Sequence, residues 1–131
     1  FKRESMRRFA TVEEAFASQN FDPSKVKIEG VPEQHIEAAR AFINLCVAHD
    51  AVNPEFQPDY TDYSQDKYHA VHDMSDPSGA GFAYDGFGVW HARSRVGARL
   101  VSESDDACEH IADLFHDDYR KLKVYERKID K

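Results

Sequence analysis

Residues 98–122 read ARLVSESDDACEHIADLFHDDYRKL. This stretch decides the fold, because its hydrophobic pattern changes period in the middle. Arg99, Leu100 and Val101 follow Gly97 and predict a short strand. Ser104 then supplies the side-chain oxygen that a helix N-cap needs. Asp105 and Asp106 fall in the first turn, where the helix dipole favours negative charge. Cys108, Ile111, Ala112, Phe115, Tyr119 and Leu122 recur at three- and four-residue spacing, which makes one apolar stripe. Arg120, Lys121 and Lys123 lie at the other end, again in keeping with the dipole. Cap, charge and period agree on a strand that turns into an amphipathic helix running to Leu122.

Working back towards the N-terminus, residues 68–74 and 81–93 carry strand signals. Phe82, Tyr84, Val89 and Trp90 are β-formers. Ser75-Asp76-Pro77-Ser78-Gly79 between the two runs is turn chemistry. Asp85-Gly86 and Gly88 allow a tight turn or a bulge inside the second run. Residues 55–67 have no clean period but hold Phe56, Tyr60 and Tyr63, so a packed loop is expected. Before it, Pro32 introduces a helix whose buried stripe is Ile36, Ala39, Ile43, Cys46 and Val47, ending near His49. Thr11-Val12-Glu13-Glu14 fits a capping box that opens a short helix ending near Asn20. Asp22-Pro23-Ser24 reads as a second cap and turn.

The predicted architecture is α+β. N-terminal helices precede a three-stranded antiparallel β-meander, and a C-terminal amphipathic helix packs on one sheet face. A chain of 131 residues suits a single domain spanning its whole length. No apolar run approaches the ~18 residues of a membrane span, so no membrane contact is expected. The first ten residues, FKRESMRRFA, have no apolar signal core.

Net charge is −7, unevenly spread. Lys2, Arg3, Arg7 and Arg8 gather in residues 1–8. Arg120, Lys121, Lys123, Arg127, Lys128 and Lys131 gather in residues 120–131. The intervening chain is more acidic than the whole and would repel a nucleic-acid backbone, which leaves only the basic ends to attract phosphate. These ends read first as solvated tails. Cys46 and Cys108 each sit on the apolar face of a predicted helix. Two buried reduced thiols, and with them a cytoplasmic setting, are the expectation; a helix–helix disulfide depends on a separation that sequence does not give.

The seven histidines raise metal binding as a question. His69 and His72 point to opposite faces of a strand, which is poor geometry for chelation. Asp113, His116 and Asp117 share a helix face, yet all are common surface residues. Cys108 follows two aspartates, which raise a thiol's pKa. Gly79-Ala80-Gly81 and Gly86-Phe87-Gly88 precede no helix, so they read as hairpin turns and not as phosphate loops. The aromatic set Tyr60, Tyr63, Tyr68, Phe82, Tyr84, Phe87 and Trp90 fits a core layer first. Its second reading is a partner-binding sheet face, with Arg93, Arg95 or Arg99 beside it.

Residues 59–68 (DYTDYSQDKY), Asp73-Met74, Gly81-Phe82, Trp90 and residues 96–104 (VGARLVSES) together resemble an uncharacterised family of small proteins from phages, prophages and mobile elements of gut bacteria. Asn53-Pro54-Glu55-Phe56, Pro58, Phe115 and Tyr119 fit the same pattern. The resemblance covers roughly residues 32–119 and implies no activity. His69, His72 and His110 stand where the family pattern has aromatics, which argues against a family metal site. Tyr60 and Ala98 replace its Trp and Ser. The first functional reading is a non-catalytic interaction module of a phage or mobile element that binds a protein partner through its aromatic sheet face or basic ends. Tyr60, Tyr68, Trp90 and Arg99 are the expected contact surface, with no cofactor and no metal. A nucleic-acid-binding accessory protein using the basic ends and aromatics is the alternative, and a metal-dependent enzyme comes third.

Overall fold

A computed structural model of the chain describes residues 5–75, 82–93, 97–125 and 127. Among the described residues, four helices and a two-stranded antiparallel sheet make an α+β fold. The first helix, α1 (Val12–Ser18), starts as its sequence dictates. The Glu14 amide donates to the Thr11 hydroxyl at 3.2 Å, and the Glu14 carboxylate reaches back to the Ala10 amide at 3.2 Å. Asp22 caps a single 3-10 turn, Pro23–Lys25, by accepting from the Ser24 amide. A second 3-10 turn, Glu33–His35, leads from Pro32 into α2 (Ile36–Val52). This helix runs about one turn beyond its expected end at His49, and Asn53 closes it.

The sheet pairs β1 (Lys67–Asp73) with β2 (Ala83–Trp90). Ala70 faces Phe87 and His72 faces Tyr84, so β2 spends one more residue than β1 over this interval. The extra residue falls at Asp85-Gly86, where Gly86 takes φ of 93°. Gly86-Phe87-Gly88 is therefore a bulge and strand interior, not the hairpin turn that its glycines suggest. Gly88 has a separate reason to be glycine. The His69 ring lies where a Cβ at position 88 would stand.

The predicted third strand does not form. Leu100 donates its amide to the Gly97 carbonyl at 2.8 Å, closing a turn in which Gly97 has φ of 95°. Leu100 and Val101 are consecutive and both buried, unlike the alternation of a strand with one solvated face. What survives of the third strand is one bridge. Tyr68 and Ser102 exchange both of their backbone hydrogen bonds, at 3.0 and 2.7 Å.

The predicted last helix is two helices, α3 (Asp105–Leu114) and α4 (His116–Lys123), with a break at Phe115. Ser104 caps α3 by accepting from the Ala107 amide at 3.1 Å, a bond of a kind that contributes about 1 kcal/mol. Phe115 has φ of −107° and ψ of 31°, yet hydrogen bonds continue across it from Phe115 to Ile111 and from Tyr119 to Phe115. The break re-aims α4 against α2, where Asn44 donates to the Asp118 carboxylate at 3.0 Å.

The core lies where these elements meet. Leu45, Ala48 and Val52 of α2 pack with Ala107, Ile111 and Ala112 of α3, and with Phe115 and Phe16. Ala70 and Phe82 supply the sheet side. Both cysteines are free; Cys108 is buried and Cys46 half-buried. The loop of residues 55–66 is held from below by Lys67. That side chain is fully buried, and its ammonium donates to the Gln65 carbonyl at 2.9 Å and the Asp62 carbonyl at 3.3 Å. The ammonium also lies 5.0 Å from the centre of the Tyr60 ring. No helix among the described residues is long and apolar enough to cross a membrane. The expected turn at residues 76–79, the Gly79-Ala80-Gly81 turn, Arg95 and parts of both basic ends lie outside the described residues.

Candidate functional site

The backbone of the sheet settles which edge is open. Tyr68 spends both its N–H and its C=O on Ser102, away from β2. In an antiparallel pair the hydrogen-bonding direction alternates along each strand, so Tyr68–Val89 and Ala70–Phe87 are pairs without mutual hydrogen bonds. The N–H and C=O groups of Phe87 and Val89 therefore point outward, along the free edge of β2. No strand among the described residues covers that edge.

The opposite edge, along β1, is closed. Beyond the Ser102 bridge, the Lys123 ammonium donates to the Ala70 carbonyl at 3.1 Å. The same ammonium donates to Nδ1 of His72 at 2.8 Å. His72 is thus the neutral tautomer with its proton on Nε2, and it is held so by its setting. Burial, then the charge of Lys123, then that of His116, push its pKa down to about 3. Its ring stacks on Phe82 with centroids 4.4 Å apart. Burial also lowers the pKa of Lys123. A lysine that caps a strand carbonyl blocks further strand addition, as charged edge residues do elsewhere.

Apolar side chains flank the open edge. Phe87 is 46% exposed and Val89 39%. Phe87 and Val89 share the sheet face of Tyr68, whose ring lies 5.3 Å from that of Phe87. Trp90 is on the other face, stacked on His69 at 3.9 Å. The four expected contact residues therefore do not share one surface. Tyr68 and Trp90 are half-buried on opposite sheet faces, while Tyr60 and Arg99 meet elsewhere. Phe87 belongs to the aromatic set read from the sequence and Val89 to its β-formers, but neither is among the four expected contact residues. Their signal was the run Phe87-Gly88-Val89-Trp90, which carries no charge or proline to blunt an edge.

Tyr60 and Arg99 line a cavity of about 380 Å³ between the C-terminal end of α2, the 55–66 loop and the 97–100 turn. The Tyr60 hydroxyl donates to the Ala98 carbonyl at 3.1 Å and ties two of its walls together. Asn53 fixes the third wall. Its side-chain amide donates to the His49 carbonyl at 3.0 Å and the Ser102 hydroxyl at 3.2 Å, and its side-chain oxygen accepts the Glu103 amide at 2.9 Å. His49, buried, lines the floor.

Cys108 is buried on the inner face of α3. Burial pushes its thiol up to about 12, with the nearby acids Asp105 and Glu109 only lesser causes. Among the described residues, no group of three His, Cys, Asp or Glu side chains comes together to hold a metal ion. No family model, curated protein or solved structure matches this chain.

Proposed function

We propose that this protein is a non-catalytic interaction module that takes an extended segment of a protein partner as an additional strand along the free edge of β2. The observation that carries this reading is the pairing of outward backbone groups at Phe87 and Val89 with side chains that stay 46% and 39% exposed. Main-chain hydrogen bonds supply affinity in strand addition, and alternate side chains supply specificity. The two edges of the sheet are treated oppositely, since Ser102 and Lys123 close β1. The bulge at Asp85-Gly86 would set one end of the docking register, because it twists the strand away. A partner with apolar residues at every second position would cover Phe87 and Val89.

A displayed library of extended peptides, selected on the full chain, tests this. Replacing Phe87 and Val89 together by Lys places charge on the edge without touching the core. The variant is expected to stay folded, losing about 1–2 kcal/mol with its cross-strand contacts to Tyr68, and to lose binding of the selected peptides by about a hundredfold or more. Peptides that bind the variant equally well would overturn the assignment.

A further inference from the structure

The cavity beside Arg99 shares no wall with the β2 edge. Its floor is His49, 5% exposed. The Leu45 carbonyl can only accept, so the 2.7 Å contact with Nδ1 places the ring proton there. Nε2 is left as an acceptor with no hydrogen-bond partner among the described residues, on a ring that lines the cavity. An acceptor on a buried residue that opens only onto the cavity can take a donor from a ligand. The rim carries two charges of opposite sign. Arg99 is exposed and makes no ion pair among the described residues, and the same holds for Asp50. Phe56 and Tyr60 present half-buried rings to the same space. The volume suits a small molecule.

From this juxtaposition we infer that the cavity binds a small free amino acid with an apolar side chain. Its carboxylate pairs with Arg99, where the planar guanidinium accommodates it in two-point fashion. Its ammonium donates to Nε2 of His49 and faces the Asp50 carboxylate. Its side chain lies against Phe56 and Tyr60. A simple anion would leave Asp50 opposed and His49 unmatched, and a simple amine would leave Arg99 unmatched, so the zwitterion uses all three groups. His49 remains neutral in this role, because burial lowers its pKa to about 4.

The test uses the full chain and leucine or phenylalanine as probes, followed by calorimetry and by amide signals of Asp50, Tyr60 and Arg99. The free amino acid is expected to bind at least about tenfold more tightly than its amide or its N-acetyl derivative. Arg99→Gln should abolish the preference over the amide, and Asp50→Asn the preference over the N-acetyl form. Both residues are exposed, so neither substitution threatens folding. Absence of binding at millimolar probe, or equal binding of all three forms, overturns the inference. Loss of peptide binding at Phe87 and Val89 leaves these outcomes unchanged.

Discussion

Acidification from about pH 7 to about pH 4 is expected to destabilise this protein steeply, well before its carboxylates titrate. The cause is a pair of histidines that the fold keeps neutral. Burial lowers His49 from 6.5 to about 4, against a smaller opposing effect of its bond to the Leu45 carbonyl. Burial and the Lys123 ammonium lower His72 to about 3. In the unfolded chain both would titrate near 6.5. Below that pH the unfolded state binds protons that the folded state refuses. Stability is therefore fully present above pH 6.5 and is lost as the pH falls towards the folded values. His49 alone accounts for on the order of 3 kcal/mol of this loss. His110, also lowered by burial, acts in the same direction. Asp59, Asp62 and Asp73, held low by bonds from Thr61, Ser64 and Ser75, add their share only below the usual carboxylate range. Asp118, raised by burial, works against the histidines instead, because the folded state takes up its proton first, above the usual carboxylate value. Denaturant titrations across this pH range check the slope. A flat profile between about pH 7 and 5 would contradict it.

Phe115→Ala is expected to cost about 3–5 kcal/mol, enough to unfold a marginal domain. The ring is 1% exposed and meets Phe16 edge-on at 5.6 Å. It lies at the joint between α3 and α4, so the cavity left behind is bounded by three helices and cannot collapse from one side. Thermal or denaturant unfolding of the variant checks the value. A cost below about 1 kcal/mol would show that the joint repacks.

The parts of the fold that were legible in the sequence are those decided locally. Thr11, Asp22 and Ser104 cap where their side-chain oxygens reach the next amides. Gly86 makes a bulge because its backbone tolerates positive φ. The third strand expected at Arg99-Leu100-Val101 does not form, because the conformation there is set by the Gly97 turn and by Asn53, which is distant in sequence. The break at Phe115 left a trace that a continuous apolar stripe concealed. Asp117 and Asp118 repeat, at the start of α4, the acidic first turn seen at Asp105 and Asp106. Full burial of Lys67 had no sequence signal, because its partners are main-chain carbonyls of a loop. The candidate site was legible as a set of aromatic residues but not as a surface. Which of them is exposed depends on which sheet edge Lys123 and Ser102 close, and both come from elements that fold back from elsewhere.

Residue-resolved amide hydrogen exchange along β2 tests the central claim most directly. The amides of Gly88 and Trp90, which pair with His69 and Lys67, should be protected in the free protein. The amides of Phe87 and Val89 should exchange rapidly when free and become protected when a selected peptide binds. Protection of Phe87 and Val89 in the free protein, or their continued rapid exchange in the complex, would contradict strand addition at this edge.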